Sequence, residues 1–435
     1  MPVLSRFRLS TCHLKLWRMD DESKSFGVDS ELQYKVLVYL NGPRDFTTQA
    51  LLTLSFTTST MQLPLKGIKV VELSGLAPAP FAGMILADYG ATVIRVDRPV
   101  NFNPDVLARH KRSVALDLKQ PVAIKTLKMM LKSADVLLDP YRPGVLEHLG
   151  LGPDVLLKLN PRLIVARLSG YGQTGEWSKV AGHDINYLAI SGVLSLIGRH
   201  GENPFFPVNI IGDFAGGGLM CVTGILMAII ERERSGKGQI VDANLTDGSS
   251  YLASFPYYMK KNGFSWTEER GKNMLDGGAH FYEVYRTKDD KFMAVGAIEP
   301  QFYTALIEGL GLSESELPQQ MDTAHWEEMK DKFRSLFSAK TQAEWVQIFQ
   351  NTDACVTPVL EYNAEDDNVK GFANTPKPAP LLSRTPALDS SNVSGVLEPG
   401  LHTTEVLKEF GLTETEIQAL IKKRVVKAND IKSSL

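Results

Sequence analysis

Between residues 68 and 172 the chain repeats one device: a short apolar run, a segment of helical length, and another apolar run. The runs are "IKVVEL" (68–73), "TVIRVD" (92–97), "SVALDL" (113–118), "DVLLDP" (135–140) and "RLIVARLSGYG" (162–172). Between them lie segments such as "PAPFAGMILADYG" (78–90) and a helix opening at Pro121. Strands separated by helices of roughly 10–15 residues bring successive strands into parallel pairing, with helices over both faces of the sheet. The expected fold class is therefore α/β, with a Rossmann-like parallel sheet in a large domain. A smaller α+β domain follows, because "FYEVYRTKDDKFMAVGAIEP" (281–300) reads as a hairpin turning at Lys288 to Lys291 ahead of further helices.

These patterns divide the chain. Residues 61–245 form the large domain, 246–280 a connecting arm rich in Gly, Asn and aromatics, and 281–363 the small domain. Residues 364–435 are a proline-rich return segment and C-terminal helices. Residues 1–60 differ from the rest. The first nineteen carry Arg6, Arg8, Lys15 and Arg18 with no acidic residue, then "MDDESKS" turns polar. Such a start reads as a mitochondrial transit peptide or as an irregular extension, with the fold-like pattern beginning after Met61.

A formal net charge of −3, with 22% charged and 43% hydrophobic residues, describes a soluble globular protein. It argues against nucleic acid or a membrane surface as the main partner. Cys12, Cys221 and Cys355 are far apart and have no metal-binding spacing, so neither disulfides nor a metal site is expected. The longest apolar run, Leu219 to Ile230, is interrupted by Thr223 and Gly224 and closed by "ERER". It reads as a buried helix with no membrane insertion.

The turn after the first strand of the large domain is "SGLAPAP", with prolines where a dinucleotide fold carries glycines. That removes the NAD or FAD reading. Three other places gather polar groups beside apolar or glycine-rich backbone. "GHDINY" (182–187) offers His183, although Asp184 and Asn186 would also serve as helix caps. "GDFAGGG" (212–218) sets Asp213 before three glycines, where backbone can approach a ligand closely; an N-cap aspartate explains it equally well. "GAIEPQF" (296–302) ends an apolar strand on Glu299, a position that also suits a plain turn residue. Together they supply a histidine, an aspartate and a glutamate, the groups needed to move protons.

From Met61 onward the chain closely resembles the α-methylacyl-CoA racemases, a branch of the family III CoA-transferase superfamily. The resemblance rests on "VVELSGLAPAPFAGMILADYGATVIRVDRP", "ARLSGYGQTG", "AGHDINYLAISGVLS", "GDFAGGGLMC", "GKGQIVDANLTDG", "NMLDGGA" and "VGAIEPQFY". It implies that His183 and Asp213 are two catalytic bases, with Glu299 paired to the histidine. It further implies interconversion of (2R)- and (2S)-2-methylacyl-CoA thioesters through an enolate, in the oxidation of branched fatty acids and bile-acid intermediates. CoA enters as part of the substrate, with no separate cofactor. Arg98, Leu116, Asp117, Leu118, Lys119 and Arg142 match the family's CoA-contacting positions. So do Gly182, His183, Asp184, Ile185, Asn186 and Tyr187, at the thioester end. The implied assembly is an interlocked homodimer whose site lies between the large domain of one subunit and the small domain of the other.

The implied locations are peroxisome and mitochondrion, and the terminal "KSSL" resembles an SKL-type address with serine in place of the basic residue. The alternative within the superfamily is a CoA-transferase in which Asp213 is the nucleophile. One departure stands out. His280 follows Ala279 where relatives carry proline, so a second imidazole is expected near the site, either facing solvent or perturbing His183.

Overall fold

In the computed structural model of the chain, the described residues are 63–362, 376–391 and 393–429, with strand backbone at 6–9, 12–18, 31–41 and 47–57. Parts of the N-terminal extension and of the proline-rich segment, and the "KSSL" terminus, lie outside them. In chain order the strands are β1 (Arg6–Leu9), β2 (Cys12–Arg18), β3 (Glu31–Asn41), β4 (Thr47–Thr57), β5 (Lys69–Leu73), β6 (Thr92–Asp97) and β7 (Arg112–Leu116). They continue as β8 (Val136–Asp139), β9 (Ile164–Ser169), β10 (Ile240–Asn244), β11 (Tyr282–Arg286), β12 (Phe292–Gly296), β13 (Val356–Pro358) and β14 (Val426–Lys427).

Strands β1 to β4 pair in sequence order as an antiparallel sheet. The extension was expected to lack a fold-like pattern. The strand segments "ELQYKVLVYLN" and "TTQALLTLSFT" are instead rich in β-branched and aromatic residues, the composition of a pleated surface. This sheet belongs to a compact unit of its own, separate from the unit that holds Leu65–Leu381 and Ala387–Leu435.

In that second unit the main sheet runs β10-β9-β8-β5-β6-β7-β14. Strands β5 to β10 are parallel, and β14 closes one edge antiparallel to β7. The chain winds one way from β5 through β7 and the other way from β8 through β10. This is the doubly wound order, and its switch point falls between β5 and β8. Alternation within the strands divides two cores. Val71, Leu73, Ile94, Val96 and Leu137 face helix Pro121–Leu131 and the C-terminal helices. Val70, Val93, Val136 and Leu138 face helix Pro78–Asp88 and helix Met220–Ser235. Proline opens Pro78–Asp88, Pro121–Leu131 and Pro153–Leu159, where its missing N–H costs no helical hydrogen bond.

The helix expected to be buried differs from expectation. Met220–Ser235 continues a π-helical segment, Ile210–Leu219, so the helical run is 26 residues, long and apolar enough by length and composition to cross a bilayer. Cys221, Val222, Ile225 and Ala228 are buried, while Leu219, Met227 and Ile230 are exposed. The arm begins as two short helices, Leu245–Leu252 and Ser254–Lys261, the first capped by Asn244 Oδ1 accepting from the Asp247 N–H at 2.7 Å.

The small domain is the antiparallel sheet β11-β12-β13 packed on helices Pro300–Gly309, Trp326–Phe337 and Gln342–Phe349. The hairpin turns where expected, with the Thr287 N–H donating to Lys291 O at 2.9 Å and Asp290 at φ 59°. Its core is aromatic: Phe281, Tyr285, Tyr303, Phe333, Phe337, Trp345 and Phe349.

Candidate active site

In open α/β sheets the crevice outside the carboxyl ends of the strands opens at the switch point. Here it lies between the turn after β5, Ser74 to Pro78, and the turn after β8, Pro140 to Pro143. The two turns touch: a Cβ on Gly75 would fall 2.8 Å from the Pro140 ring. Ala77 bends the first turn at φ 56°, a conformation that costs a non-glycine residue on the order of 1 kcal/mol or more and tends to mark functional loops. A cleft of about 330 Å³ opens there, lined by both turns, by Leu168 to Tyr171 at the end of β9, and by Ser178, Gly182, His183, Tyr187 and Asp213. His183 and Asp213, thirty positions apart in sequence, therefore share one cavity.

Local hydrogen bonds fix each of them. His183 is the N-cap of helix Asp184–Ile190. Its N–H donates to Asn186 Oδ1 at 3.0 Å, and the Asn186 N–H donates back to His183 O at 2.8 Å. The cap is thus held by Asn186, and the imidazole is exposed to the cleft. Asp184 is buried and ties this helix to Asp213: its Oδ1 accepts the Asp213 N–H at 2.7 Å. The fit is close, since a Cβ on Gly212 would lie 2.4 Å from that same oxygen. This accounts for the glycine ahead of Asp213.

The Asp213 carboxyl is half-buried and accepts from Asn209 Nδ2 at 3.1 Å. Burial holds it above the usual carboxylate range, and the neighbouring Asp184 charge adds to that. The Asn209 hydrogen bond and the His183 imidazole oppose the shift. A carboxyl raised in this way returns a proton more readily near neutral pH. Tyr187 donates its hydroxyl to Gly182 O and packs edge-on to Tyr171, with ring centroids 5.0 Å apart. Burial pushes its hydroxyl up to about 12, so it stays a neutral wall beside the histidine.

A second cleft, about 750 Å³, adjoins the first through Pro140, Tyr141 and Arg142. It is lined by Arg98, Val100, Leu116, Asp117, Leu118 and Lys119. Arg98, Lys119 and Arg142 are exposed, and no carboxylate pairs with any of them among the described ion pairs. The two acids at its edge are already engaged. Asp97 accepts from Arg95 Nε at 2.9 Å, from Asn103 Nδ2 at 2.7 Å and from Ser113 Oγ at 2.6 Å. Asp117 accepts from Gln120 Nε2 at 2.9 Å. The cleft is therefore cationic, which suits phosphate oxygens.

In the sequence the Ser74–Pro78 turn spoke only against a dinucleotide fold, and Tyr141, Tyr171 and Asn209 gave no site signal. The strand order would have pointed to the turns, because ligands seat at the switch point; nothing in "VNIIGD" marks Asn209.

Within one chain Glu299 is not brought to His183. It is the exposed N-cap of helix Pro300–Gly309 in the small domain, past the end of β12. The expectation for His280 is corrected. It is 1% exposed, lies in the small-domain core against Phe281, Tyr303 and Phe333, and its Nε2 sits 3.0 Å from the Tyr303 hydroxyl. The aromatic residues around it draw the imidazole inward, away from solvent and from the cleft.

Burial, helped by the Lys330 charge, lowers the His280 imidazole from 6.5 to about 4. Between those values the unfolded chain binds a proton that the folded protein refuses, so stability is lost as pH falls below about 6.5. From pH 7.5 to 5 the wild type is expected to lose on the order of 2 kcal/mol more unfolding free energy than His280→Phe. Parallel urea titrations of the two proteins would show equal losses if this imidazole did not contribute.

Residues 65–370 match CoA-transferase family III. The human α-methylacyl-CoA racemase is 54% identical over 86% of this chain and 100% of its own length. The succinyl-CoA–L-malate CoA-transferase beta subunit of Chloroflexus aurantiacus is 31% identical over 85% of this chain and 99% of its own. A CAIB/BAIF family protein of known structure from Brucella suis has a TM-score of 0.64 at 22% identity, covering 80% of this chain and 99% of that one. At that identity it is a likeness of fold.

Proposed function

The chain belongs to CoA-transferase family III, and we propose that within this family it is a racemase interconverting (2R)- and (2S)-2-methylacyl-CoA thioesters by proton transfer at the α-carbon. The observation that carries this reading is the shared cleft of His183 and Asp213, with Asp184 holding the two together. The 54% identity to a racemase over nearly the whole chain supports it.

An α-proton of a thioester is weakly acidic, so the base must be held against it and the enolate oxygen stabilised. Inversion needs a base on one face of that carbon and an acid on the other. His183 and Asp213 take these parts and exchange them on each turnover. The thioester lies along Gly182 to Tyr187, and the nucleotide extends past Arg142 into the cationic cleft of Arg98 and Leu116 to Lys119. CoA arrives with the substrate, and no separate cofactor is assigned.

The same proposal includes a homodimer in which Glu299 of the partner subunit pairs with His183. The exposed position of this residue at a helix head leaves it available to a second chain. The substrates are branched fatty acyl-CoAs and bile-acid intermediates, and the locations peroxisome and mitochondrion. The 26-residue helical run is read as a soluble element, because its glycines pack closely: a Cβ on Gly218 would meet Phe81 and Pro78 at 2.8 Å.

A second reading, supported by the 31% identity to a transferase, makes Asp213 a nucleophile that takes the acyl group from CoA as a mixed anhydride and passes it on. The test is wash-in of solvent deuterium. A racemase incorporates deuterium at the α-carbon of a 2-methylacyl-CoA and leaves no adduct. A hydroxylamine-sensitive acyl-aspartate, with no deuterium in recovered substrate, would establish the transferase instead.

A further inference from the structure

The C-terminal return segment reaches the cationic cleft. β14 pairs antiparallel with β7, with Val426 opposite Leu116 and Lys427 opposite Ala115, so its first residues stand at the carboxyl edge of the sheet. Two contacts secure it there. The Asp117 N–H donates to Val425 O at 2.9 Å, and Thr403 Oγ1 donates to Lys427 O at 2.7 Å. From this position the Lys427 ammonium crosses to the loop after β6, donating to Val100 O at 3.0 Å and Asn101 Oδ1 at 3.1 Å.

Both acceptors are neutral, and no described ion pair involves Lys427. An ammonium has three donors, and two are engaged, so one donor and the whole charge remain. Val100, one of its acceptors, lines the same 750 Å³ cleft as Arg98 and Lys119. The loop that carries Arg98 is otherwise fixed from within. Arg95 donates to Asp97, to Asp105 at 2.8 Å and to Leu397 O at 2.8 Å, while Asn103 Nδ2 also reaches Ser74 Oγ at 3.1 Å. Lys427 is thus held against a fixed loop, its ammonium bonded to Val100, a residue that lines the cleft.

We propose that Lys427 is a phosphate-binding residue for the nucleotide end of CoA, contributed by the C-terminal strand and absent from the family positions matched above. This rests on the CoA-binding reading, whichever chemistry follows. It assigns the C-terminal strand a part in ligand binding as well as in closing the sheet edge.

The test uses the full-length protein and calorimetric titration of CoA into wild type, Lys427→Met and Lys427→Arg. Lys427→Met is expected to bind CoA roughly fivefold to tenfold more weakly, as for one charged contact partly open to solvent. Lys427→Arg should stay within about twofold of wild type. The deficit should shrink near 1 M salt, where charges are screened over about 3 Å. An S-acyl pantetheine, which carries no phosphate, should bind wild type and Lys427→Met equally. Equal CoA affinity in wild type and Lys427→Met would overturn the proposal, as would an equal loss for the pantetheine thioester. Failure of the wild type itself to bind CoA would instead remove the underlying reading.

Discussion

Replacing His183 by alanine or Asp213 by asparagine is expected to reduce inversion of a 2-methylacyl-CoA by at least ~10²–10⁴-fold, the range for a missing acid–base group. Each variant nevertheless keeps one base. That base should still remove and return the α-proton on its own face, so solvent deuterium enters one epimer while its configuration is retained. His183→Ala and Asp213→Asn should therefore exchange opposite epimers, each variant labelling only the one that its remaining base serves. The double variant should exchange neither. Epimer-resolved mass spectrometry of recovered substrate reads all three results. Exchange of both epimers by either single variant would show that one base serves both faces.

The geometry tunes Asp213 as well as placing it. Asp213 is raised by burial and by Asp184, and Asp184 is itself held high by burial while accepting the Asp213 N–H. Asp184→Asn keeps the shape of that acceptor but removes its charge. Its effect would therefore fall on the pH dependence of Asp213 more than on the position of the backbone.

Much of this arrangement could be read from the sequence, and what could not has particular causes. Strands β5 to β9 were legible because both faces are covered by helices, which leaves near-continuous apolar runs. The β11–β12 hairpin was legible from "TKDD" between two strand-like runs. β14 was not: two residues give no periodic signal, and only their pairing with β7 defines them. The glycines of "GDFAGGG" signal close backbone ahead of a helix, while the fusion of that π-helical turn with Met220–Ser235 into one 26-residue run leaves no mark in the sequence. His183 and Asp213 were found as isolated polar positions. Their meeting depends on strand order and on Asp184, neither of which spacing reports. His280 misled for a related reason. A histidine next to "DGGA" looks polar, yet the aromatic core of the small domain encloses it.

The largest expected change in stability comes from Lys111, which no sequence pattern marked. Lys111 and Glu72 are fully buried as side chains, with Lys111 Nζ 2.9 and 2.8 Å from the two Glu72 oxygens. The same ammonium donates to Pro80 O at 2.8 Å. It therefore secures the first turn of helix Pro78–Asp88, directly behind Ala77 and Pro78 of the cleft that holds His183 and Asp213. Burial raises the Glu72 carboxyl to about 7 even with Lys111 opposing the shift.

Lys111→Met leaves that carboxyl without its partner, and removing one member of a buried pair costs about 3–5 kcal/mol. The loss should depend on pH in a definite direction. With Lys111 gone the folded variant keeps its Glu72 proton beyond the wild type's value of about 7, so destabilisation relative to the wild type grows as pH rises above about 7. Glu72→Gln combined with Lys111→Met removes the charge altogether and should recover much of the stability at pH 8, with little pH dependence remaining. Equal stability of the single and double variants at pH 8 would mean that packing around Lys111, and not the stranded carboxyl, sets the cost.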